Sequence, residues 1–530
     1  MSDGASTVRH DEALWQQPHN PWIIALVVTM ATFMEVLDTS VANVSLPHIA
    51  GNLSAGVDES TWVLTSYLMS NAVVLPLSGW LSERVGRKRF YMSCVALFTT
   101  GSLLCGLAPS LGWLVFFRVL QGAGGGGLQP SEQAILADTF PPAKRGMAIA
   151  VYGMAVVAAP ALGPTLGGWI TDNFTWRWIF FINVPIGLLS LLLTSRLISD
   201  PPYLKKKRTM SVTIDYIGFG VIALGLATLQ FVLDKGQRDD WFESPVIRTF
   251  AVISVVCLAF TLIWEWRVKD PIIELRLFKD RTFLMGNVML FTVGFALYSS
   301  TVLLPQYCQE LMGYTAKLAG MVISPGGFAI MLLMPLIGYL VTHYDARKLI
   351  AFGFLVVGLS LFYMMKFNLN IDFRTMMWAR VFQAAGVAFL FVPINTAAFA
   401  NLPREKSNAG SGLINLSRNI GGSVGISYVT TMLARRQQFH QARLASHLTP
   451  YNWHFMAAVR NLAHGFAASG MGPVAANRTA YAVLEQTLFQ QANLLAYIDN
   501  FWLLGISMMV LVPLTFLMKK SKPGGPIAVH

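Results

Sequence analysis

Phe117-Arg118-Val119-Leu120-Gln121-Gly122-Ala123-Gly124 is answered later in the chain by Ala379-Arg380-Val381-Phe382-Gln383-Ala384-Ala385-Gly386. Two further echoes flank this pair in the same order. Gly79-Trp80-Leu81 leading to Arg87-Lys88 returns as Gly338-Tyr339-Leu340 leading to Arg347-Lys348, and Pro142-Ala143-Lys144-Arg145 returns as Arg404-Glu405-Lys406. The intervals agree too: 39 residues separate Gly79 from Arg118, and 42 separate Gly338 from Arg380. One such match is weak. Three in one order describe a duplicated chain.

The duplicated unit is built for a bilayer. Of 530 residues, 54% are hydrophobic and only 12% charged, against about 25% charged in a soluble protein. Apolar runs of roughly 20 residues, the length a helix needs to cross a membrane, recur along the chain. Fourteen are predicted, near 22–48, 60–81, 89–108, 112–138, 147–170, 178–197, 214–233, 245–266, 282–305, 316–341, 348–366, 374–399, 407–433 and 496–518. A barrel would show alternating ten-residue segments instead. The first run is too long for a signal peptide and carries acids. The expected fold is an all-α membrane protein of fourteen transmembrane helices in the lipid bilayer. Spans one to six (22–198) and nine to fourteen (282–518) form two parallel six-helix halves. Spans seven and eight are an inserted hairpin within 199–281. Parallel repeats of this kind surround a central site and rock about it.

Net charge is +12, yet its placement argues against nucleic acid. With 1–21 in the cytoplasm, the inside loops hold 24 Lys and Arg and the short outside loops 7. That bias is the positive-inside rule and puts both 1–21 and the tail 519–530 in the cytoplasm. Lys205-Lys206-Lys207-Arg208 is then a topology anchor. Cys94, Cys105, Cys257 and Cys308 show no paired spacing, so neither a disulfide framework nor a metal site is implied.

Charged residues inside spans carry the chemistry. A carboxylate at bilayer depth costs on the order of 2.5–3.5 kcal/mol, and Asp38 stands in Leu37-Asp38-Thr39-Ser40-Val41-Ala42-Asn43-Val44-Ser45-Leu46-Pro47. Glu35 lies one turn earlier on the same face. At 1.5 Å per residue Asp38 sits roughly 24 Å from the inner end of span one, and Arg118 about 9 Å from the outer end of span four. In a core of about 30 Å these heights coincide. Either the two face one cavity, with Arg118 held against Asp38 until a proton or substrate competes, or they form a static ion pair. Glu132 lies about 21 Å further along span four, as an inner proton acceptor or part of a polar cluster near Pro130. Arg380 and Arg418 have no evident acid in the second half; structural pairing and attraction of anionic substrate groups both remain open. Trp62, Tyr67, Phe295 and Tyr298 are candidates to line an apolar cavity or simply to pack. Glycines 122 and 124–127 thin one wall of span four, and Gly163-Pro164-Thr165-Leu166-Gly167-Gly168 thins and kinks span five. No Gly-Lys dipeptide occurs, so the nucleotide-binding Walker pattern is absent. Energy must come from a gradient or a partner, without a cofactor. No nucleophile–base pair or metal cluster marks an enzyme. The loop 434–495 has helix-like stretches at 434–446 and 476–495 with a turn at Gly470-Met471-Gly472-Pro473, and suits either solvated helices or partner docking.

These motifs resemble the fourteen-span drug:proton antiporters of the major facilitator superfamily, of the EmrB/QacA type. The matching residues are Leu37 to Pro47; Gly79-Trp80-Leu81-Ser82-Glu83-Arg84-Val85-Gly86-Arg87-Lys88; Arg118 with Gln121-Gly122; Gly163-Pro164 with Gly167-Gly168; and Trp178-Ile179-Phe180-Phe181-Ile182-Asn183-Val184-Pro185-Ile186-Gly187. The resemblance implies the major facilitator fold and export of hydrophobic toxic compounds against inflowing protons. The span-five motif favours exchange over symport. Conformational gating would fall to Gly79, Glu83, Arg84, Gly86, Arg87, Gly163, Pro164, Gly167 and Gly168. The superfamily usually has Asp where Glu83 stands; the charge is kept, and with it gating through ion pairs to Arg84, Arg87 or a helix end. The resemblance also implies a bacterial inner membrane, a periplasmic adaptor (membrane fusion) protein of EmrA type and an outer-membrane channel protein, which gives 434–495 a partner. A dedicated exporter of one metabolite or siderophore would carry the same motifs and differ only in cavity side chains.

Overall fold

The computed structural model describes residues 18–200, 215–268, 271–400, 402–403 and 406–520. Lys205 to Arg208 and the pair Arg404 and Glu405 lie outside the described residues. Every described element is helical. The spans are α1 (Pro21–Asn52), α2 (Trp62–Val85), α3 (Arg87–Leu107), α4 (Leu111–Gly125) continued by α5 (Leu128–Thr139), and α6 (Pro142–Asn173). They continue with α7 (Trp178–Leu197), α8 (Tyr216–Lys235), α9 (Pro245–Arg267), α10 (Arg281–Glu310), α11 (Ala316–His343), α12 (Ala346–Met364) and α13 (Phe373–Ala400). The last are α14 (Ser407–Ala445), the short α15 (Trp453–Ala468) and α16 (Pro473–Leu514).

Ten of these helices are long and apolar enough to cross a membrane, and α6 joins them as a span bent by 47°. The other three spans, α2, α4 with α5, and α14, are more polar for a reason. They bury Asn71, Ser78, Gln121, Glu132, Asn415 and Arg418 in the protein interior. Polar groups are tolerated at membrane depth when protein rather than lipid surrounds them.

The duplication is visible in the packing. Within the first half α1 lies on α6, α2 on α4 and α3 on α7; within the second, α10 lies on α14, α11 on α13 and α12 on α16. The halves meet along two seams, α6 with α11 and α2 with α14, which are exchanged by the same repeat operation. Small residues make both seams tight at the end of the bundle that carries the basic loops. A Cβ on Gly79 would lie 2.8 Å from Ala409 Cα, and one on Gly338 would lie 2.9 Å from Met147 Cα.

The inserted hairpin of α8 and α9 straddles the α2–α14 seam toward the other end. From α8, Lys235 Nζ donates to Thr61 Oγ1 at 2.5 Å and Asp234 contacts Thr65. Toward α14, Ser423 Oγ donates to Gln230 Oε1 at 2.9 Å, and Trp241 Nε1 donates to Thr431 Oγ1 at 3.1 Å.

α14 and α16 run unbroken through 39 and 42 residues. At 1.5 Å per residue that is roughly 60 Å each, about twice the hydrocarbon core. The surplus forms a helical projection over 434–495. The sequence reading expected two helical stretches there; the structure adds α15, laid against α16. The expected turn at 470–473 is present, with Gly470 at φ +97°. Arg436 Nε at 2.6 Å and His440 Nε2 at 2.8 Å both reach Asp499 and clamp the base of the projection.

Candidate functional site

α1 carries Glu35 and Asp38 into two adjoining polar clusters. Asp38 is buried among α3, α4 and α7. Arg118 Nη1 donates to Asp38 Oδ2 at 2.5 Å. Gln121 Nε2 at 3.0 Å and Asn183 Nδ2 at 2.7 Å donate to Asp38 Oδ1. The guanidinium is itself held in place: Nε donates to the Val63 carbonyl at 2.9 Å, and the Tyr67 ring lies 4.2 Å beneath it. Asn183 also donates to Ser102 Oγ at 3.0 Å. The structure therefore brings Asp38 and Arg118 into contact. It encloses them within the first half, with Arg118 0% exposed, rather than placing them on an open cavity wall.

Glu35 points to α2 and α5. It accepts from Tyr67 Oη at 3.1 Å, Asn71 Nδ2 at 3.3 Å and Gln129 Nε2 at 2.7 Å. Gln129 Oε1 in turn accepts from Tyr152 Oη at 3.2 Å and from Arg418 Nη2 of α14. Arg418 thus finds its partner in the first half, an amide one bond network from Glu35. Asn415 extends this crossing, donating to Gln133 Oε1 at 3.0 Å and accepting from Tyr152 Oη at 3.2 Å. Glu132 accepts from Thr29 Oγ1 at 2.6 Å, and its Oε2 is buried without a partner. Thr29, Glu35 and Asp38 all project from α1, so the three acids meet one helix. Arg380 donates to Ser300 Oγ at 3.0 Å, Thr301 Oγ1 at 3.1 Å and Gln383 Oε1 at 2.7 Å.

The residues expected to gate sit where halves or helices touch. Gly86, at φ +97°, turns the chain between α2 and α3, and Asp200 caps the new helix by accepting from Lys88 N at 2.7 Å. Arg87 pairs with Asp138 at the end of α5 and donates to the Ala134 carbonyl at 3.1 Å. The Arg84 guanidinium lies 4.0 Å over the Trp80 ring. On α6, proline at 164 has no N–H for the Pro160 carbonyl, and Ser40 Oγ of α1 donates to that carbonyl at 3.1 Å. A Cβ on Gly163 would meet Ser40 Oγ at 2.2 Å and one on Gly167 would meet Val41 at 3.0 Å, whereas Gly168 has open space. Of the aromatic candidates, Tyr67 is buried between Glu35 and Arg118. Trp62 packs on Phe231 at 5.6 Å and Phe295 on Tyr428 at 5.9 Å between ring centroids.

The sequence reading missed the neutral partners: Gln121, Asn183, Gln129, Gln133 and Asn415, with Asp138 and Asp200 at the loops. Gln121 and Asn183 stand inside the quoted motifs. Their signal was an amide in an otherwise apolar run.

Comparison with known proteins follows the same outline. The family described as Major Facilitator Superfamily matches residues 28–426. The fatty acid resistance protein FarB of Neisseria gonorrhoeae is 38% identical over 499 residues, covering 94% of this chain and 96% of that one. The multidrug export protein EmrB of Escherichia coli K12 is 36% identical over 498 residues, covering 94% and 95%. The crystal structure of a double tryptophan mutant of XylE superposes with a TM-score of 0.63 at 14% identity, over 95% of this chain and 96% of that one. At that identity the likeness is one of fold.

Proposed function

Because the chain belongs to the major facilitator superfamily, we propose that it is a proton-driven antiporter that exports hydrophobic drugs and toxic compounds. The observation that carries the reading is the pair of acids on α1. Asp38 is tied into the first half by Arg118, Gln121 and Asn183, while Glu35 is tied across the seam to Arg418 through Gln129. A proton on Asp38 removes the charge that Arg118 pairs with. Because Arg118 is anchored to Val63 on α2, its response moves the helix that forms the seam with α14. A proton on Glu35 weakens its hold on Gln129, and with it the link between halves. Glu132 of α5, which accepts from Thr29 of α1, supplies a third acid. Rocking of two parallel halves about a central site then follows from the fold.

In this reading the protein lies in a bacterial inner membrane with both termini cytoplasmic. The 434–495 projection is periplasmic and docks an adaptor protein of EmrA type that leads to an outer-membrane channel protein. The relative EmrB is named a multidrug export protein, which supports the substrate range. The proton gradient supplies the energy and no cofactor is needed.

Substrate-induced proton release from the purified protein tests the coupling. Lipophilic cations, uncouplers and antibiotics are added in turn to wild type and Asp38→Asn, and pH is recorded. Release by several unrelated compounds, abolished in the variant, is expected. Release by one metabolite alone would favour the dedicated exporter. Deleting 440–490 tests the docking role: export across both membranes is expected to stop, and its survival unchanged would remove the adaptor from the reading.

A further inference from the structure

α7 is an apolar helix with a polar inner face. From Asn183 to Leu197 its fully buried residues are Asn183, Gly187, Ser190 and Thr194. These follow one another at four, three and four residues and so share one face, while Leu188, Leu189 and Leu192 are exposed. α7 packs on α3 and α1, and both of these pack on α5. Asn183 ties the top of the polar face to Asp38 at 2.7 Å and to Ser102 at 3.0 Å. The Thr99 hydroxyl fills the notch at Gly187, where a Cβ would overlap it. Ser190 lies beside the Tyr91 hydroxyl, which faces Glu132 and donates to the Val28 carbonyl at 3.1 Å. Glu132 in turn lies against Thr29 and Thr32 of α1. Depths follow from 1.5 Å per residue, counted from the helix ends that carry the basic loops. Asp38 and Asn183 stand at roughly 21–24 Å, and Thr99 and Thr32 at roughly 16–18 Å. Ser190, Glu132 and Thr29 stand at roughly 10–12 Å and Thr194 at about 5 Å. The polar groups form a ladder through the interior of the first half.

Two features mark the ladder as a passage rather than as packing alone. Helical Ser and Thr can close on a carbonyl of their own preceding turn, as Thr99 and Thr139 do at 2.7 Å. Ser190 Oγ, Thr194 Oγ1, Thr32 Oγ1 and Glu132 Oε2 are instead buried without a well-formed hydrogen bond, and none of the four residues is more than 1% exposed. Polar atoms in that state are where proteins hold water. The ladder also has an outlet. A cavity about the size of one water molecule lies at its foot, lined by Arg87, Ile135, Asp138, Ile198 and Asp200. Ile135 is one turn below Glu132 on α5, and Ile198 follows Thr194 by one turn at the end of α7.

We propose that this ladder is the route by which protons leave Asp38. Ser102, Thr99, Tyr91 and Ser190, with bound water, pass them to Glu132, and Thr194 passes them on to the cavity beside Asp138 and Asp200. The route is enclosed in the first half, apart from the central path between the halves that a substrate takes. Each hydroxyl accepts a proton on an oxygen lone pair and gives up the one it held. One proton therefore leaves the Asp38 carboxyl, one arrives on the Glu132 carboxylate, and the groups between are unchanged. The titratable groups that face Glu132 are Glu35 of α1 and Tyr91 of α3. The proposal rests on the proton-driven reading above and assigns the course its protons take.

The test separates proton movement from rocking, with the full chain in proteoliposomes and tetraphenylphosphonium as probe. Uptake driven by an imposed pH gradient needs protons to cross. Exchange of labelled for unlabelled probe at equal pH needs only the loaded halves to rock. Ser190→Ala with Thr194→Val removes both hydroxyls and nearly keeps their volume. Gradient-driven uptake is expected to fall on the order of a hundredfold, the low end of what a positioned proton-transfer group contributes, while exchange keeps its rate. Thr194→Ser, which restores a hydroxyl in a smaller side chain, should keep the drive that Thr194→Val loses. Equal loss of uptake and exchange in the double variant would mean that the hydroxyls only pack α7. Undiminished uptake would mean that protons run elsewhere, and would leave the export reading standing. A wild type that exchanges the probe but ignores the gradient would remove the proton-driven reading, and the route with it.

Discussion

Asp38 and Arg118 have no solvent to fall back on, and that fixes what changing either one does. Asp38→Asn keeps the shape of the side chain and leaves Arg118 as an uncompensated buried cation. The expected loss is about 3–5 kcal/mol of stability. Arg118→Gln added to the same chain removes the stranded charge, so the double variant should be more stable than Asp38→Asn alone. Unfolding of the four members of this cycle in detergent measures the coupling, and additive losses would mean that the pair contributes nothing. Drug-proton exchange should be absent in every member that lacks Asp38, including the one whose stability returns. The charged half of this site was legible in the sequence because a carboxylate in an apolar span is conspicuous, and because helix rise converts residue number into depth. Its neutral half was not. Gln121, Asn183 and Gln129 barely alter the hydropathy of their spans. The contact of Arg418 with Gln129 joins residues 289 apart, and no local pattern encodes it.

At the scale of elements, the motif on α6 acts through its fit to α1. Pro164 frees the Pro160 carbonyl and Ser40, two residues beyond Asp38, takes it up. Ser40→Ala should therefore cost about 1 kcal/mol by removing a part-buried hydrogen bond, read as a lowered melting temperature. Gly163→Val should be worse for transport than for insertion: its Cβ would press on Ser40 and force α6 off α1. Gly168→Ala provides the contrast. The family resemblance groups Gly168 with the gating residues, yet nothing lies within 4 Å of its Cβ position. Uptake assays on the two variants are expected to separate them, with transport lost in Gly163→Val and retained in Gly168→Ala. If Gly168→Ala were the more harmful, packing on α1 would not be what the motif provides. The spans themselves were readable from apolar length. The break between α4 and α5 at Gly126 and Gly127 was not, since the five glycines at 122 and 124–127 within one span signal close packing before they signal a break. Nor was α15 legible, because a short helix on a projecting surface lacks the long apolar face that marks a span.

For the whole molecule, the decisive contacts are those between halves at the end that carries the basic loops. Gly79 against Ala409 and Gly338 against Met147 bring backbones together at both seams. The side chains of Ser82 and Asn408 touch beside the first. Two halves that rock must separate here once in every cycle. Ser82→Cys with Asn408→Cys, in a chain whose Cys94, Cys105, Cys257 and Cys308 are replaced by serine or alanine, places one thiol on each half across this seam. The shortest bis-methanethiosulfonate reagent should then link α2 to α14. Linkage is expected to bring drug transport to background, and dithiothreitol should restore it. Either single-cysteine chain treated alike should keep transporting, which separates the crosslink from mere modification. Added substrate tests the proton model in the same chain. A compound that drives the halves apart should slow the linkage, and Asp38→Asn should remove that protection. Full transport by a chain shown to be linked would mean that the α2–α14 seam stays shut throughout the cycle, and that movement is confined to the α6–α11 seam.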